Sequence, residues 1–394
     1  MAASAATAGS DRLASARWSL LFGNFVIGCG VMVVPGTLND LTRSLQVSVS
    51  LGGQLIAIAA AVMCFGAPLA AGVVSGWDRR RLLALAMLWY AAGHLLCTAM
   101  PSFAAFMPMR AVTVLAAAVF TPQAAAAVGF MAAPEQRGRS ITFIFLGWSL
   151  ASVLGMPISA WLGETFGWRS SFLLISALSA GAALWVYASL PDGVKPAALT
   201  RHDWRKVLTH PVLIPMVAVT ALYSAGQSTL FSYFAPYYKE MLGADATDIS
   251  LLFAWFGAFG LIGNVLVSRS IDRVGASRAV VAMMALIAAS LLLWPLATTL
   301  MGMALVLVPW ALGCFAANSG QQARLGQAAP LLAPALMALN TSAMYLGQAA
   351  GASGGGWLIA HGGYAPLHWV ALAWMLAAIA LSLWVAQRSA SARA

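Results

Sequence analysis

Residues 72–81, Gly-Val-Val-Ser-Gly-Trp-Asp-Arg-Arg-Arg, form a short basic loop between two long apolar runs. A shift of 196 positions brings this loop onto residues 268–277, Ser-Arg-Ser-Ile-Asp-Arg-Val-Gly-Ala-Ser, which also lie between apolar runs. Repeats decide the architecture of a chain, and this one predicts two related halves. The same shift pairs Gly30 with Gly226, Pro134 with Pro330, Gly155 with Gly351 and Trp161 with Trp357.

The composition is that of a membrane protein. Of the 394 residues, 61% are hydrophobic and 8% are charged, and the mean hydropathy is +0.84. Soluble proteins hold roughly 25% charged residues, so most side chains are expected to face lipid or other apolar helices. The net charge of +10 is scattered and makes no basic stripe, which argues against nucleic acid as a partner. The four cysteines lie far apart inside apolar runs, so we expect no disulfide, metal or cofactor.

A helix needs about 20 apolar residues to cross a bilayer. Charges, Pro/Gly clusters and polar gaps divide the chain into twelve such runs, at 17–38, 50–75, 81–100, 103–130, 140–163, 168–190, 211–237, 247–268, 277–297, 299–323, 331–360 and 365–387. We predict an all-α membrane protein in the form of two pseudo-symmetric six-helix bundles, at 1–190 and 211–394, joined by a cytoplasmic linker at 191–210.

The basic residues predict the orientation. With the N-terminus inside, nearly all Lys and Arg residues fall on the inner side, whereas Arg43, Arg169 and Lys239 fall outside. This bias follows the positive-inside rule and places both termini in the cytoplasm. One span more or fewer would invert the later loops, so the charges favour an even count. We expect a multi-pass protein of the cell's inner membrane, surrounded by lipid.

One charged residue lies inside a predicted span. Arg110 is about two turns into the fourth run, where a charge is costly and is expected to face a bundle interior or water. It could instead bond helix carbonyls or extend to the outer surface. No acidic residue lies in the middle of a span, and only Asp40 and Glu164, near outer ends, approach the place of a proton-carrying carboxylate. Asp40 and Arg110 are the candidate coupling residues, and the lone His94 is expected to be a packing residue.

Polar and aromatic side chains within the spans are candidates for the lining of a substrate cavity. Such a cavity would be neutral or slightly positive and would favour neutral or anionic small molecules. Hydrogen bonds between helices would explain the polar members equally well. The candidates are Asn24, Phe25, Arg110, Thr113, Gln123, Tyr223, Gln227, Tyr233, Trp310, Asn318, Asn340, Tyr345 and Gln348.

Enzyme motifs are missing from the sequence, which has no His-Glu-x-x-His, no P-loop and no Gly-x-Ser-x-Gly. An enzyme is therefore not expected. In the fifth run, Gly155 and Pro157 predict either a plain kink or a pivot or seal between the bundles, because proline removes a helix hydrogen bond and glycine permits close packing.

Five segments carry a family resemblance. They are the loop 72–81, Arg110, the loop 134–139 (Pro-Glu-Gln-Arg-Gly-Arg), the Gly/Pro-rich stretch 147–163, and Gly-Trp-Arg at 167–169 with Phe172. Together they resemble motifs of the major facilitator superfamily, specifically its twelve-span drug/proton antiporters, which include sugar-efflux-type exporters. The resemblance covers nearly the whole chain.

This resemblance implies a monomer that works by alternating access, with two bundles rocking about a site near the membrane midplane. It implies export of drugs, sugars or related metabolites in exchange for protons. An uncoupled facilitator or an uptake carrier for a neutral or anionic molecule is the alternative, because no deep carboxylate is present. The implied hinge and latch residues are Gly72, Asp78, Arg79, Arg80, Arg81, Gly147, Gly155, Pro157, Asp272, Arg273 and Gly275.

The chain departs from the family pattern at one place. Gly76-Trp77 stand where the family has Asp-Arg, whereas the second half keeps Asp272-Arg273. In the family this aspartate contacts helix ends, where a negative charge is stabilising. One side of the latch is therefore expected to be missing, unless Asp78 replaces it from two positions on.

Overall fold

The computed structural model describes the backbone of residues 2–47, 49–195 and 199–391, and its regular structure is helical throughout these ranges. A π-helical turn, Ala151–Gly155, joins two of the helices, and short 3-10 turns precede two others. The α-helices are α1 Ala2–Ser44, α2 Val49–Val74, α3 Arg79–Thr98, α4 Phe103–Met131, α5 Arg137–Leu150, α6 Met156–Phe166, α7 Trp168–Ser189, α8 Arg201–Thr209, α9 Leu213–Phe231, α10 Phe234–Leu242, α11 Ala246–Val274, α12 Ala276–Leu293, α13 Leu300–Ala328, α14 Ala333–Gly362 and α15 Leu367–Ser391.

Eleven helical segments of the described chain are long and apolar enough to cross a membrane. They coincide with eleven of the twelve predicted runs, and the chain is a multi-pass membrane protein. The exception is α14, which has 30 residues but is rich in Gly, Ser, Thr, Asn and Gln, so that its hydropathy is lower. The count of twelve spans stays a prediction.

The repeat seen in the sequence recurs in the helix boundaries. A 3-10 turn at Pro134–Gln136 leads into α5, and one at Pro330–Leu332 leads into α14, 196 positions later. Gly167 and Gly363, separated by the same interval, both have a positive φ, 82° and 68°. Equivalent positions of the two halves thus break and restart their helices in the same way.

Two predicted segments are more complex than a single helix or a plain linker. The fifth run contains the π turn, placed just before Pro157, where it accommodates a residue that cannot donate a backbone hydrogen bond. The predicted linker, 191–210, contains α8, whose first turn is closed by a capping box between Thr200 and Asp203. Hydrogen bonds from Thr200 lower the pKa of the exposed Asp203 carboxyl.

Glycine allows the closest helix contacts. Gly147 of α5 lies directly against α1, where an added Cβ would collide with the carbonyl oxygen of Leu21 and the amide nitrogen of Phe25. In the second half, Gly347, Gly351 and Gly355 bring α14 against the backbone carbonyls of α9. Spacing of small residues by four positions is the usual basis of such packing in membranes.

The α1–α5 contact gives a test of this packing. Gly147→Ala should destabilise the protein by about 1–3 kcal/mol, because the new methyl group meets rigid backbone. We expect a lower apparent melting temperature in detergent. The matched control is Gly181→Ala in α7, where the added Cβ has open space around it and alanine favours the helix. Equal melting temperatures for the two variants would contradict the packing.

Candidate substrate and coupling site

Arg110 is fully buried in the N-terminal half. Its Nη2 donates to the Gly30 carbonyl of α1 at 2.6 Å, and its Nη1 lies 3.3 Å from His94 Nε2 of α3. The ring of Phe172 in α7 has its centroid 6.0 Å from the guanidinium carbon. In this structure the side chain therefore joins four helices and does not extend to the outer surface.

The sequence allows this junction because Gly30 has no side chain. A Cβ at this position would overlap the Tyr90 ring, which instead reaches across and donates to the Ile27 carbonyl at 3.1 Å. Tyr90 also packs edge-on against His94, with centroids 4.3 Å apart. His94, expected to be alone, is the partner of Arg110, and sequence patterns miss the pair because it forms between neighbouring helices.

Asp40 lies near the end of α1, away from this cluster. Its Oδ2 accepts a hydrogen bond from the backbone N–H of Trp168 at 2.7 Å, at the first turn of α7. It thus caps a helix N-terminus, where a carboxylate is stabilising. No acidic side chain within the described part of the chain bonds to Arg110, and the Glu164 side chain lies outside the described residues. The coupling role of Asp40 stays a prediction.

Polar candidates of the N-terminal half are mostly used in helix contacts. Asn24 donates to the Ile144 carbonyl at 3.2 Å and accepts from Thr121 at 3.0 Å. Thr113 donates to a carbonyl of its own helix, that of Met109, at 2.7 Å. Gln123 is buried with its Oε1 unpaired. Phe25 is half-buried.

Candidates of the C-terminal half form bonds that link its helices. Tyr223 donates to Asn318 at 3.1 Å, and Tyr233 donates to the Ala352 carbonyl at 2.5 Å. Asn340 accepts from Thr220 at 2.5 Å and leaves its Nδ2 unpaired. The side chains that stay partly exposed are Gln227, Tyr233, Asn318 and Gln348.

Two aromatic candidates are enclosed. Trp310 is fully buried in an aromatic cluster, with its ring centroid 5.2 Å from Phe234 and 5.8 Å from Trp294. No face of its indole is open in this conformation. Tyr345 is nearly buried and, although it belongs to α14, packs into the apolar cluster of the N-terminal half. Contact of these side chains with a substrate stays a prediction.

The two halves meet at what we call the basic end, the side of the molecule that carries the loops 76–81, 137–139 and 272–278. Here both carboxylate oxygens of Asp272, at the end of α11, accept from the Arg139 N–H in the first turn of α5, at 3.2 and 3.1 Å. Gly138 permits this approach, because a Cβ there would overlap the carboxylate. Arg273 is exposed, and Gly275 joins α11 to α12 with a φ of 89°.

The equivalent contact in the other half lacks its acid. Gly76 stands in place of Asp272, and Pro334 stands in place of Gly138, whereas Ala335, the counterpart of Arg139, keeps its N–H. Asp78 does not replace the lost acid. It accepts from the N–H groups of Arg81 and Gly193, and so caps α3 and holds the start of the linker. The possibility that Asp78 acts as a displaced latch is therefore not realised in this structure.

The arginines of the loop 76–81 make hydrogen bonds close to the loop, and none of the bonds described links the two halves. The buried Arg79 donates to the carbonyls of Val74 and Ser75 and closes the end of α2. Arg80 donates to the Tyr187 carbonyl at 2.7 Å and lies over that ring. Arg81 and Gly72 are exposed.

Comparison with known proteins gives the family. A sequence model described as the Major Facilitator Superfamily matches residues 20–331 and 216–393. The chain belongs to this superfamily. The resemblance predicted from the motifs is thereby confirmed.

Individual relatives of this major facilitator are transport proteins by name. It is 28% identical over 345 residues to the inner membrane transport protein YdhP of Escherichia coli, covering 87% of this chain and 88% of the relative. It is 27% identical over 290 residues to a chloramphenicol efflux pump of Mycobacterium tuberculosis, covering 73% and 70%. In structure it is similar to the human organic anion transporter MFSD10, with a TM-score of 0.78, 17% identity and coverage of 95% and 99%.

Sequence reasoning missed a polar bridge between the halves of the transporter. Asn264 of α11 is fully buried, donates to Ser149 of α5 at 2.9 Å, and accepts from Ser319 of α13 at 2.6 Å. A second link joins Ser342 of α14 to the Cys64 carbonyl of α2. An asparagine inside an apolar run indicates a polar contact between helices, but the sequence does not show which face of the helix meets the other half.

The Asp272 contact predicts how readily the basic end opens. Asp272→Asn removes a negative charge beside a helix N-terminus, an interaction of about 0.3–1 kcal/mol, so the open population should rise roughly two- to fivefold. The measurement is the distance distribution between spin labels at Glu135 and Arg273, both exposed, in a cysteine-free background. Asp245→Asn, at the opposite end of α11, is the control, because asparagine caps a helix equally well. An unchanged distribution for Asp272→Asn would exclude the latch.

Proposed function

We propose that the chain is a secondary active transporter of the inner membrane that exports small neutral or amphipathic molecules in exchange for protons. The names of relatives support the substrate class and direction, since one is a chloramphenicol efflux pump and another an inner membrane transport protein. Chloramphenicol is the probe that these relatives suggest.

We propose that α14 is the eleventh of twelve spans. At 1.5 Å per residue its 30 residues extend about 45 Å, more than the roughly 30 Å of bilayer hydrocarbon. Twelve spans also keep the basic loops on one side, which would be the cytoplasm together with both termini. The repeated helix boundaries support two six-helix bundles, with the segment around α8 as the linker between them.

The contacts between the two halves are the main support for alternating access. Polar contacts across it lie at or within a few turns of the basic end: Asp272 with Arg139, Asn264 with Ser149, and Ser342 with Cys64. They are few, and the helices that they join also meet through an apolar cluster that includes Ile141, Val267 and Ile271. We interpret this conformation as closed toward the cytoplasm, and opening would require these contacts to separate while each half keeps its own core.

A cavity at the basic end supports a route for small molecules. About 200 Å³ of space remains between α4 and α5 of one half and α13 and α14 of the other, lined by Gly129, Arg137, Ile141, Pro330 and Met337. A mostly apolar wall with one cation suits a neutral or amphipathic solute better than a cation. We take this cavity as the remnant of the cytoplasmic access path.

An uncoupled facilitator of the same fold is the second candidate. The observation in its favour is that Arg110 has no carboxylate among its described partners. Coupling to protons distinguishes the two candidates.

The proposal predicts gradient-dependent export from cells. In a host without its own drug pumps, expression should lower the retention of radiolabelled chloramphenicol, and collapse of the pH gradient with nigericin should restore it. Arg110→Ala should abolish export although the protein stays in the membrane. Arg43→Ala, an exposed arginine at the opposite end, is the control and should export normally.

Export that persists after the pH gradient collapses would reject proton exchange and favour the uncoupled carrier. Normal export by Arg110→Ala would show that Arg110 has a structural role and is not required for transport.

A further inference from the structure

The hydrogen bonds around His94 determine which ring nitrogen carries the proton. His94 Nδ1 lies 2.8 Å from the Tyr90 carbonyl oxygen, which can only accept. Nδ1 therefore bears the hydrogen, and the tautomer follows from the partners. Nε2 is left with a lone pair directed toward Arg110 Nη1 at 3.3 Å, a geometry in which the guanidinium donates to the imidazole.

This arrangement requires a neutral His94. The guanidinium of Arg110 stays charged, and a protonated imidazole would place a second cation against it, with no hydrogen-bond acceptor left between the two. The groups that face His94 are Arg110 from α4, the Gly30 carbonyl from α1, the Phe172 ring from α7, and Tyr90 of its own helix. None of them is acidic, so no described neighbour would balance both charges in this conformation.

We propose that His94 is the proton-accepting residue of the transporter and that its protonation detaches Arg110 from α3 and from the Gly30 carbonyl of α1. In this step a proton from water adds to the Nε2 lone pair, and the N–H···N bond from Arg110 is broken. The guanidinium then moves off and must find new acceptors, and release of the proton lets the original bond form again. The proposal rests on the proposed function, of which it specifies the proton-carrying group.

The position of His94 suits a proton from outside the cell. It lies four residues before the end of α3 that is opposite the basic end, about 6 Å along the helix. In the cytoplasm-closed conformation the ring is neutral and bonded to Arg110, and it takes up the proton as that bond breaks, in the direction that an exporter driven by an inward proton flow requires. Asp40 in contrast is held by the α7 N-terminus.

The chain contains a matched control. His361 makes the same bond from Nδ1 to the carbonyl four residues earlier, that of Trp357, also at 2.8 Å. It is exposed and no arginine is among its described partners. Replacing it removes the same side chain and the same local bond without touching Arg110.

The direct test is a ¹⁵N NMR titration of the histidine rings in nanodiscs, with the His94 signals assigned by their loss in His94→Gln. We expect the Nδ1–H tautomer at high pH and a doubly protonated ring at low pH. In Arg110→Gln the pH of half-protonation should rise by roughly one unit or more, because a neighbouring cation is gone. A ring of His94 that never becomes doubly protonated between pH 5 and 8, or that titrates identically in Arg110→Gln, would overturn the proposal.

Transport provides the second readout. In proteoliposomes with an acidic lumen, His94→Gln should lose chloramphenicol accumulation driven by the pH gradient at least about tenfold and keep counterflow at equal pH, whereas His361→Gln should keep both. Gradient-driven accumulation by His94→Gln would reject the role of His94 and leave proton exchange intact. If the unsubstituted protein shows no gradient-driven accumulation, the proposed function fails, and the titration still decides on His94. If His94→Gln loses counterflow too, the substitution has impaired transport as a whole, and the NMR titration of the unsubstituted protein then decides whether His94 accepts the proton.

Discussion

A buried guanidinium with no carboxylate partner among the described side chains constrains the N-terminal half of this transporter. A charge inside an apolar helix bundle must find hydrogen-bond acceptors from the protein, since neither lipid nor water supplies them. Arg110 obtains them from the Gly30 carbonyl and the His94 ring. Both acceptors are neutral and sit on different helices, so the packing of α1, α3 and α4 depends on a bond that protonation can remove. Gly30 also leaves the space that the Tyr90 ring occupies beside this junction, because a Cβ at this position would overlap that ring.

The contact between the halves is asymmetric although the halves are related. One side joins through Asp272 and the start of α5, and the other has lost its acid, at Gly76, and the glycine that permits the close approach, at Pro334. The buried Asn264 bridge and the Ser342–Cys64 link lie deeper in the two seams. Opening toward the cytoplasm therefore starts, in our account, on the side without the charge contact, while α5 and α11 separate later.

Local patterns in the sequence predicted most of the helical architecture. Apolar runs and basic loops located eleven spans, and the 196-residue shift paired Pro134 with Pro330, the residues that begin the 3-10 turns before α5 and α14. The hydropathy of α14 is reduced by its polar residues and by its glycines, of which Gly347, Gly351 and Gly355 allow its contact with α9. Arg110 was recognisable because a charge in an apolar run is rare. The pairing of Arg110 with His94 could not be recognised from the sequence, because it depends on how α3 and α4 are aligned. The bond between Asn24 and Thr121 likewise depends on helix rotation, which a polar residue in a span does not reveal.

The central claim is that a protonatable group and the substrate compete within one transport cycle. The most direct measurement is the pH change of a weakly buffered solution of purified, detergent-solubilised protein on addition of chloramphenicol, with binding followed in parallel. Our account predicts that binding releases protons and that the release vanishes at a pH where the group is already deprotonated. Binding that releases no proton at any pH would contradict it and would leave an uncoupled carrier of the same fold.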